Sequence, residues 1–272
     1  MSNIETVFVE GSPRLACDVA GSGELLVLLH GIGGQRQNWA DQLPAFAEHF
    51  QVVAWDARGY GDSGDYEGPL EFGDFSADLA RLLDHFGAGQ AHLLGLSMGG
   101  LILQDFYERQ PQRAASLVLC NTLTGFAESF TPEQRDEFIR LRQEPLLAGA
   151  EPRDIAPGIA QSFAGPDISE TQMARLVASM SALRKENYLK TIAATANHTR
   201  IPDLAAFDLP VLLVFGENDP LTPVAFGESM HARLPDSRLH VIPRAGHLSN
   251  LEKPDEFNRV VLEFLLEQKN TT

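Results

Sequence analysis

The sequence has few cysteines, no long apolar run and no signal-peptide pattern, and each absence excludes a class of protein. It has 2 cysteines in 272 residues, too few for a disulfide framework, so Cys17 and Cys120 are expected to be reduced, buried thiols. It has no uninterrupted apolar run approaching the roughly 18 residues of a membrane-spanning helix, so none is predicted. Its start lacks the basic and apolar segments of a signal peptide, and we therefore expect a cytoplasmic protein.

Positive charge is also scarce. Lysine and arginine number 21 against 37 aspartates and glutamates, which gives a formal net charge of −16. A surface of this sign repels nucleic acid and anionic membranes, so neither is an expected partner. The hydrophobic content of 44% is nevertheless sufficient for a packed globular core. The expected partner is a small molecule, and the composition leaves a homo-oligomer open.

Short apolar runs alternate with helical patterns along the chain. Eight runs are predicted as strands, at residues 6–11, 13–21, 25–30, 51–56, 91–97, 115–122, 210–217 and 238–243. Most of them are nearly continuous apolar runs, which is typical of strands buried on both faces of a parallel sheet. Helices are predicted between them, at residues 37–49, 73–87, 98–110, 224–234 and 254–268. This alternation predicts an α/β fold with right-handed crossovers.

A long helical interval interrupts the alternation. The stretch between the strand that ends near Thr122 and the strand that starts at Pro210 is too long for a plain loop. It contains helical patterns separated by prolines and glycines. We therefore predict a core domain made of residues 1–123 and 206–272, with residues 124–205 forming a helical cap over one end of the sheet.

A serine stands between glycines where a predicted strand gives way to a predicted helix. The stretch GLSMG (95–99) fits the pattern G-x-S-x-G in that context. Such a turn strains the backbone of the serine and exposes its hydroxyl at the carboxyl end of the strand. The glycines remove Cβ atoms that would collide with neighbouring turns. Ser97 is therefore predicted to be a nucleophile.

A serine nucleophile requires a general base, and the base requires a carboxylate that fixes its tautomer. His247 lies in the loop after the last predicted strand, and Asp219 lies in the loop after the strand before it. Both loops fall at the same edge of the sheet as Ser97. Glu217 is too close to its strand for this role, and Asp236 enters the next strand at the opposite end. The chain order of serine, aspartate and histidine is the one expected for such a serine turn.

Two backbone N–H groups are expected to stabilise an anionic intermediate. One belongs to Ile32 in the glycine-rich turn HGIGG (30–34), and the other belongs to Met98, which opens a predicted helix. His30 is expected to brace this turn rather than to transfer protons. Three aromatic residues are candidates for substrate contact: Trp39, Phe126 and Phe130.

These motifs together resemble the α/β-hydrolase family over essentially the whole chain. The stretches HGIGG, DARGYGDS, GLSMGG, GENDPLTP and AGHLSNLE stand in the family order and spacing. The resemblance implies the α/β-hydrolase fold, an eight-stranded and mostly parallel sheet with helices on both faces and a helical cap insertion that closes the pocket. It implies a structural turn at Asp56, Arg58 and Gly61, and it implies no metal and no organic cofactor.

The same motifs indicate which branch of the α/β-hydrolase family the sequence resembles most. Ser97 argues against dehalogenases and epoxide hydrolases, which carry aspartate as the nucleophile. The C–C bond hydrolases of aromatic catabolism share SMGG, but HGIGGQR lacks the Pro-Gly-Ala part of their oxyanion stretch. GLSMGG and AGHLSNLEKPDEFN are most similar to the oxoadipate enol-lactonase-like esterases. We predict hydrolysis of a small-molecule ester or lactone through an acyl-enzyme, with enol-lactone hydrolysis in aromatic catabolism as the narrower hypothesis.

Alternatives stay open at this point. A C–C bond hydrolase of ring-fission products, or a cofactor-free perhydrolase or haloperoxidase, would use the same three residues. A ligand-binding receptor on the same scaffold would bind without turnover. Any one of several cap cations could pair with a substrate carboxylate, although a solvated helix face is the simpler interpretation for each: Arg135, Arg140, Arg142, Arg153, Arg175, Arg184, Lys185 and Lys190.

Overall fold

A computed structural model of the protein describes residues 3–269. Within them the chain forms one sheet of eight strands: β1 (Glu5–Val9), β2 (Leu15–Gly21), β3 (Leu25–Leu29), β4 (Gln51–Trp55), β5 (Ala91–Leu96), β6 (Ala114–Cys120), β7 (Val211–Gly216) and β8 (Ser237–Ile242). Their spatial order is β1-β2-β4-β3-β5-β6-β7-β8. β2 is antiparallel to β1 and β4, and all other neighbours are parallel. The predicted eight-stranded, mostly parallel sheet is confirmed.

The helices of the described residues are α1 (Leu43–Phe46), α2 (Gly73–His85), α3 (Met98–Arg109), α4 (Phe126–Ser129), α5 (Pro132–Leu147), α6 (Pro152–Phe163), α7 (Glu170–Ser181), α8 (Lys185–Ala196), α9 (Val224–His231), α10 (Ser249–Glu252) and α11 (Pro254–Lys269). None of these helices is both long enough and apolar enough to cross a bilayer. Helices α4 to α8 lie between β6 and β7, where the cap is predicted. The division of the chain into core and cap subdomains stays a prediction.

The prediction of one helix over residues 37–49 is wrong. The structure has a 3-10 turn at Arg36–Trp39 and then the single turn of α1. Asn38 Oδ1 accepts a hydrogen bond from the backbone N–H of Gln35 at 2.7 Å, and such local side-chain bonds favour turns over continuous helix. Pro44 has no N–H to donate to the preceding turn, so the helix must start again there.

The sheet is covered on both faces because side chains alternate along each strand. In β3, Val27 belongs to an apolar cluster with α2, α3 and α9, whereas Leu26 and Leu28 belong to a cluster with α1 and α11. Cys17 lies in the first cluster and Cys120 in the second, and both are free and buried. The helices on both faces and the reduced, buried thiols agree with expectation.

The turn after β4 is structural, as the resemblance implies. The buried carboxylate of Asp56 pairs with the guanidinium of Arg36. A Cβ at Gly61 would overlap that carboxylate, and φ at Gly61 is +46°, a conformation that glycine adopts without strain. Arg58 Nε donates to Asp78 at 2.7 Å and so ties the turn to α2. The side chains of Asp56 and Arg58 therefore hold the turn in place.

The carboxyl ends of six parallel strands meet at one edge of the sheet. β3, β4, β5, β6, β7 and β8 end there, and each continues into a loop that carries polar residues. The strand order places β5 between β3 and β6, and β7 between β6 and β8. Loops that are far apart in the sequence therefore become neighbours, and every candidate catalytic residue lies in one of them.

Candidate active site

Ser97 stands between β5 and α3 in the strained backbone conformation that the sequence predicts. Its φ is 54° and its ψ is −115°, a combination that residues other than glycine rarely adopt. A Cβ at Gly95 would overlap the backbone of Gly99, and a Cβ at Gly99 would overlap the carbonyl of Leu29. Glycine at these positions therefore lets the turn come close to its neighbours and present the serine.

His247 and Asp219 are in direct contact. His247 Nδ1 lies 2.8 Å from Asp219 Oδ2, and both residues are buried. Burial alone would raise the pKa of Asp219, but the charge and hydrogen bond of His247, with hydrogen bonds from Thr222, lower it to about 2. Asp219 is therefore ionised at neutral pH and favours the His247 tautomer that carries its proton on Nδ1. In that tautomer Nε2 can accept a proton.

Ser97 and His247 line the same cavity, which has a volume of about 520 Å³. Among residues 3–269, no hydrogen bond joins Ser97 Oγ to the His247 ring. Such pairs are often loose without substrate and tighten in the complex. The structure thus brings the candidate nucleophile and base to one cavity, with the contact between base and acid already formed.

Two residues that sequence reasoning missed hold the carboxylate of Asp219. Asn121 Nδ2 donates to Oδ2 at 2.9 Å, and the Thr222 hydroxyl donates to the same oxygen. Oδ1 accepts the backbone N–H groups of Leu221 at 2.8 Å and Thr222 at 3.1 Å. Ser249 Oγ in turn donates to Asn121 Oδ1 at 2.6 Å. The available signal for Asn121 is its place directly after a buried strand.

Glu252 joins the His247 loop to the segment that follows α6. Its Oε2 accepts the backbone N–H groups of Gly246 and Gly165, each at 2.9 Å. The His247 N–H donates to Phe163 O at 2.9 Å in the same region. Burial raises the pKa of Glu252, and the backbone N–H groups oppose that rise. Glu252 belongs to the quoted stretch AGHLSNLE, but nothing in the sequence assigns it this role.

Ile32 and Met98 both line the cavity beside the candidate nucleophile. Neither backbone N–H donates a hydrogen bond to any residue from 3 to 269; Met98 begins α3, where an N–H has no acceptor within the helix. Two unpaired N–H groups suit a developing anionic oxygen. His30 braces the adjoining turn, since its Nδ1 donates to Gly31 O at 2.8 Å and its Nε2 accepts the Ala57 N–H at 3.1 Å.

The three candidate pocket aromatics fall into two places. Phe126 and Phe130 line the 520 Å³ cavity, and the Phe126 ring centroid lies 5.0 Å from that of Phe138 in α5. Trp39 instead lines a small hollow that adjoins the main cavity, since Ser97 and His247 line both. It also packs against Phe257 at 6.4 Å between ring centroids, so it serves the core as well. The main cavity is walled mostly by apolar side chains, many of them from the predicted cap.

Known proteins show the same architecture. Residues 24–254 match the family described as alpha/beta hydrolase fold. The chain belongs to this family. The α/β-hydrolase fold expected from the sequence motifs is thereby confirmed. The carboxyl ends of its strands carry the serine turn, the loop histidine and the unpaired N–H groups.

Several relatives of this α/β hydrolase carry specific names. 3-oxoadipate enol-lactonase 2 of Acinetobacter baylyi is 31% identical, with 87% of this chain and 86% of that protein covered. The 2-hydroxy-6-oxononadienedioate/2-hydroxy-6-oxononatrienedioate hydrolase of Burkholderia vietnamiensis is 33% identical, covering 91% and 89%. The crystal structure of the enol-lactonase from Burkholderia xenovorans has a TM-score of 0.84 at 26% identity, covering 96% and 100%. These likenesses support hydrolase activity for the chain.

Proposed function

We propose that the protein hydrolyses a carboxylic ester or lactone of a small molecule through an acyl-enzyme on Ser97. Ser97 Oγ attacks the carbonyl carbon while His247 Nε2 takes the hydroxyl proton. The carbonyl oxygen becomes an oxyanion, which accepts hydrogen bonds from the backbone N–H groups of Ile32 and Met98. Asp219 stabilises the imidazolium through Nδ1. The first half of the reaction ends when His247 protonates the leaving alkoxide and the C–O bond breaks.

The second half reverses these roles. His247 removes a proton from water, the hydroxide adds to the acyl carbon, and the same two N–H groups bind the second oxyanion. Collapse of this intermediate breaks the bond to Ser97 Oγ, which regains a proton from His247. The carboxylic acid leaves, and the enzyme returns to its starting state.

One observation carries this proposal. A single cavity is lined by a strained serine, by a histidine already hydrogen-bonded to an ionised aspartate, and by two residues with unpaired N–H groups. Each group matches one requirement of acyl transfer, namely a nucleophile, a base and an oxyanion site. The identity to the Acinetobacter enol-lactonase supports lactones as the narrower substrate class.

C–C bond hydrolysis of a ring-fission product is the second candidate. The 33% identity to the Burkholderia vietnamiensis hydrolase favours it. It would use the same serine, histidine and N–H groups, so the residues of the site do not separate the two reactions. The HGIGGQR stretch, which lacks Pro-Gly-Ala, is the feature against it.

A substrate panel separates these functions. We expect p-nitrophenyl esters or enol-lactones to be hydrolysed with kcat/KM on the order of 10⁴ M⁻¹s⁻¹ or more, within the ordinary range of enzymes. Ring-fission products with a vinylogous diketone should be cleaved far more slowly. Rates are measured by absorbance, with the Ser97→Ala variant giving the background for each compound.

The other outcomes each decide against the proposal. Rapid cleavage of the diketones with inert esters and lactones would establish the C–C hydrolase instead. Tight binding of an ester or lactone without any turnover would point to a receptor.

A further inference from the structure

The wall of the main cavity contains a cation with no anionic partner in the described part of the chain. Of the lysines and arginines in residues 3–269, Arg142 of α5 alone lines the cavity. It is half-buried, its Nη1 donates to Phe138 O at 3.4 Å, and its guanidinium carbon lies 3.6 Å from the centroid of the Phe138 ring. Burial lowers the pKa of Arg142, and no carboxylate opposes that shift. A charge held in this way favours the arrival of an anion.

The other charged residues near this cation are already engaged. Arg140, two residues away on the same helix, pairs with Glu137 at 2.7 Å and with Glu144. Glu137 and Glu133 both line the cavity. The pKa of Glu133 is lowered by hydrogen bonds from its own backbone N–H and from Thr131, and that of Glu137 is lowered by the hydrogen bond from Arg140. Neither carboxylate neutralises the cation in the cavity.

Two hydroxyl groups from α8 belong to the same wall. Thr195 and Tyr188 line the cavity and are both buried, and they stand seven residues apart, on one face of the helix. Thr195 Oγ1 has no hydrogen-bond partner among residues 3–269. Burial raises the pKa of Tyr188 and the positive charge of Arg142 opposes the rise, so the phenol stays protonated and can donate. An unpaired buried hydroxyl in the wall of a cavity that also holds a cation can donate to an acceptor bound there.

We propose that Arg142, with the hydroxyls of Thr195 and Tyr188, binds a carboxylate of the substrate. The substrate is then an ester or lactone that bears a separate carboxylate group, and the proposal rests on the hydrolysis proposed at Ser97. The guanidinium matches a carboxylate because its N–H groups can donate to both oxygens. One cation with two neutral donors suits a single negative charge. The local positive charge of Arg142 also explains how a chain of net charge −16 admits an anionic substrate.

Matched ester pairs test this inference. The p-nitrophenyl monoesters of succinate, glutarate and adipate are compared with the neutral butyrate, pentanoate and hexanoate esters. For at least one chain length, we expect the acidic ester to have the higher kcat/KM. The Arg142→Gln variant should reduce the ratio of acidic to neutral kcat/KM by about 10- to 100-fold, the usual effect of losing a hydrogen bond to a charged group, mainly through KM.

Two further variants make the result specific. Arg153→Gln removes an exposed cation of α6 that does not line the cavity and should leave the ratio unchanged, which controls for general loss of positive charge. Thr195→Val removes the unpaired hydroxyl at nearly constant volume and should lower the ratio in the same direction as Arg142→Gln. Urea unfolding of each variant checks that the fold is retained.

A binding measurement keeps the inference independent of turnover. Monomethyl glutarate is titrated by calorimetry into Ser97→Ala and into Ser97→Ala/Arg142→Gln, with methyl pentanoate as the neutral probe. We expect the second substitution to weaken binding of the acidic probe only. Equal losses for acidic and neutral compounds, or a wild-type enzyme that prefers neutral esters at every chain length, would overturn the role of Arg142. If no ester is hydrolysed, the proposed function fails while the titration still decides the carboxylate site.

Discussion

The Ser97→Ala variant is expected to lose about 10⁶-fold in kcat on an activated aryl ester, as removal of a triad nucleophile does in other serine hydrolases. The reason is that no other group takes the place of the attacking oxygen at this turn. The N–H groups of Ile32 and Met98 remain, so a small residual rate above the uncatalysed reaction should persist. Steady-state kinetics with p-nitrophenyl butyrate measures the loss, and KM should change much less than kcat.

Ser116→Ala is the matched control for this prediction. Ser116 is a buried serine of β6 whose hydroxyl lies 2.8 Å from His92 Nδ1, near the opposite end of the sheet. Loss of its hydroxyl should lower stability slightly and leave kcat within about twofold. Ser97→Ala with activity close to wild type would show that the acyl-enzyme does not form on this residue.

Replacement of Asp219 by asparagine should reduce kcat by about 10⁴-fold, the effect of a wrong histidine tautomer in a serine triad. The backbone N–H groups of Leu221 and Thr222 keep an oxygen at the Oδ1 position. The amide NH₂ then occupies the Oδ2 position and donates to His247 Nδ1. The ring must carry its own proton on Nε2, where it can no longer accept the proton of Ser97.

The same substitution should also affect the surroundings of the carboxylate. Its NH₂ would face the Asn121 NH₂, which now donates to Asp219 Oδ2, so a modest loss of stability is expected in urea unfolding. Glu217→Gln is the control, because Glu217 follows the same strand, but among residues 3–269 its carboxylate accepts only the exposed Arg244 N–H, at 2.9 Å. A normal rate in Asp219→Asn would assign the orienting role to another acid.

The sheet and most helices could be predicted because their patterns are local. Apolar runs such as LLVLL in β3 are long enough to identify a strand, and α11 has an apolar stripe on one face. The helix over residues 37–49 could not be predicted correctly, since its end depends on the Asn38 side chain and on buried hydrogen bonds of Gln42 with Asn250 and Asn258. Those partners are more than two hundred residues away in the chain.

The residues of the candidate site also divide into those that local sequence patterns predict and those that they do not. Ser97, Asp219 and His247 could be found because each follows a strand of the parallel sheet, and the carboxyl ends of these strands meet at one edge. Glu252 and Arg142 could not be found by that reasoning. Glu252 acts through backbone N–H groups of two separate segments. Among the arginines of residues 124–205, Arg142 is the one that lines the main cavity, and that property exists only after folding.

The central claim is that His247 activates Ser97 for covalent catalysis, and trapping with an organophosphonate tests it most directly. Mass spectrometry of the intact protein should show one adduct, and peptide mapping should place it on Ser97 in the GLSMGG stretch. Ser97→Ala should remain unlabelled, and Asp219→Asn should be labelled much more slowly. An adduct on another residue, or an unlabelled protein that still hydrolyses esters, would contradict the account.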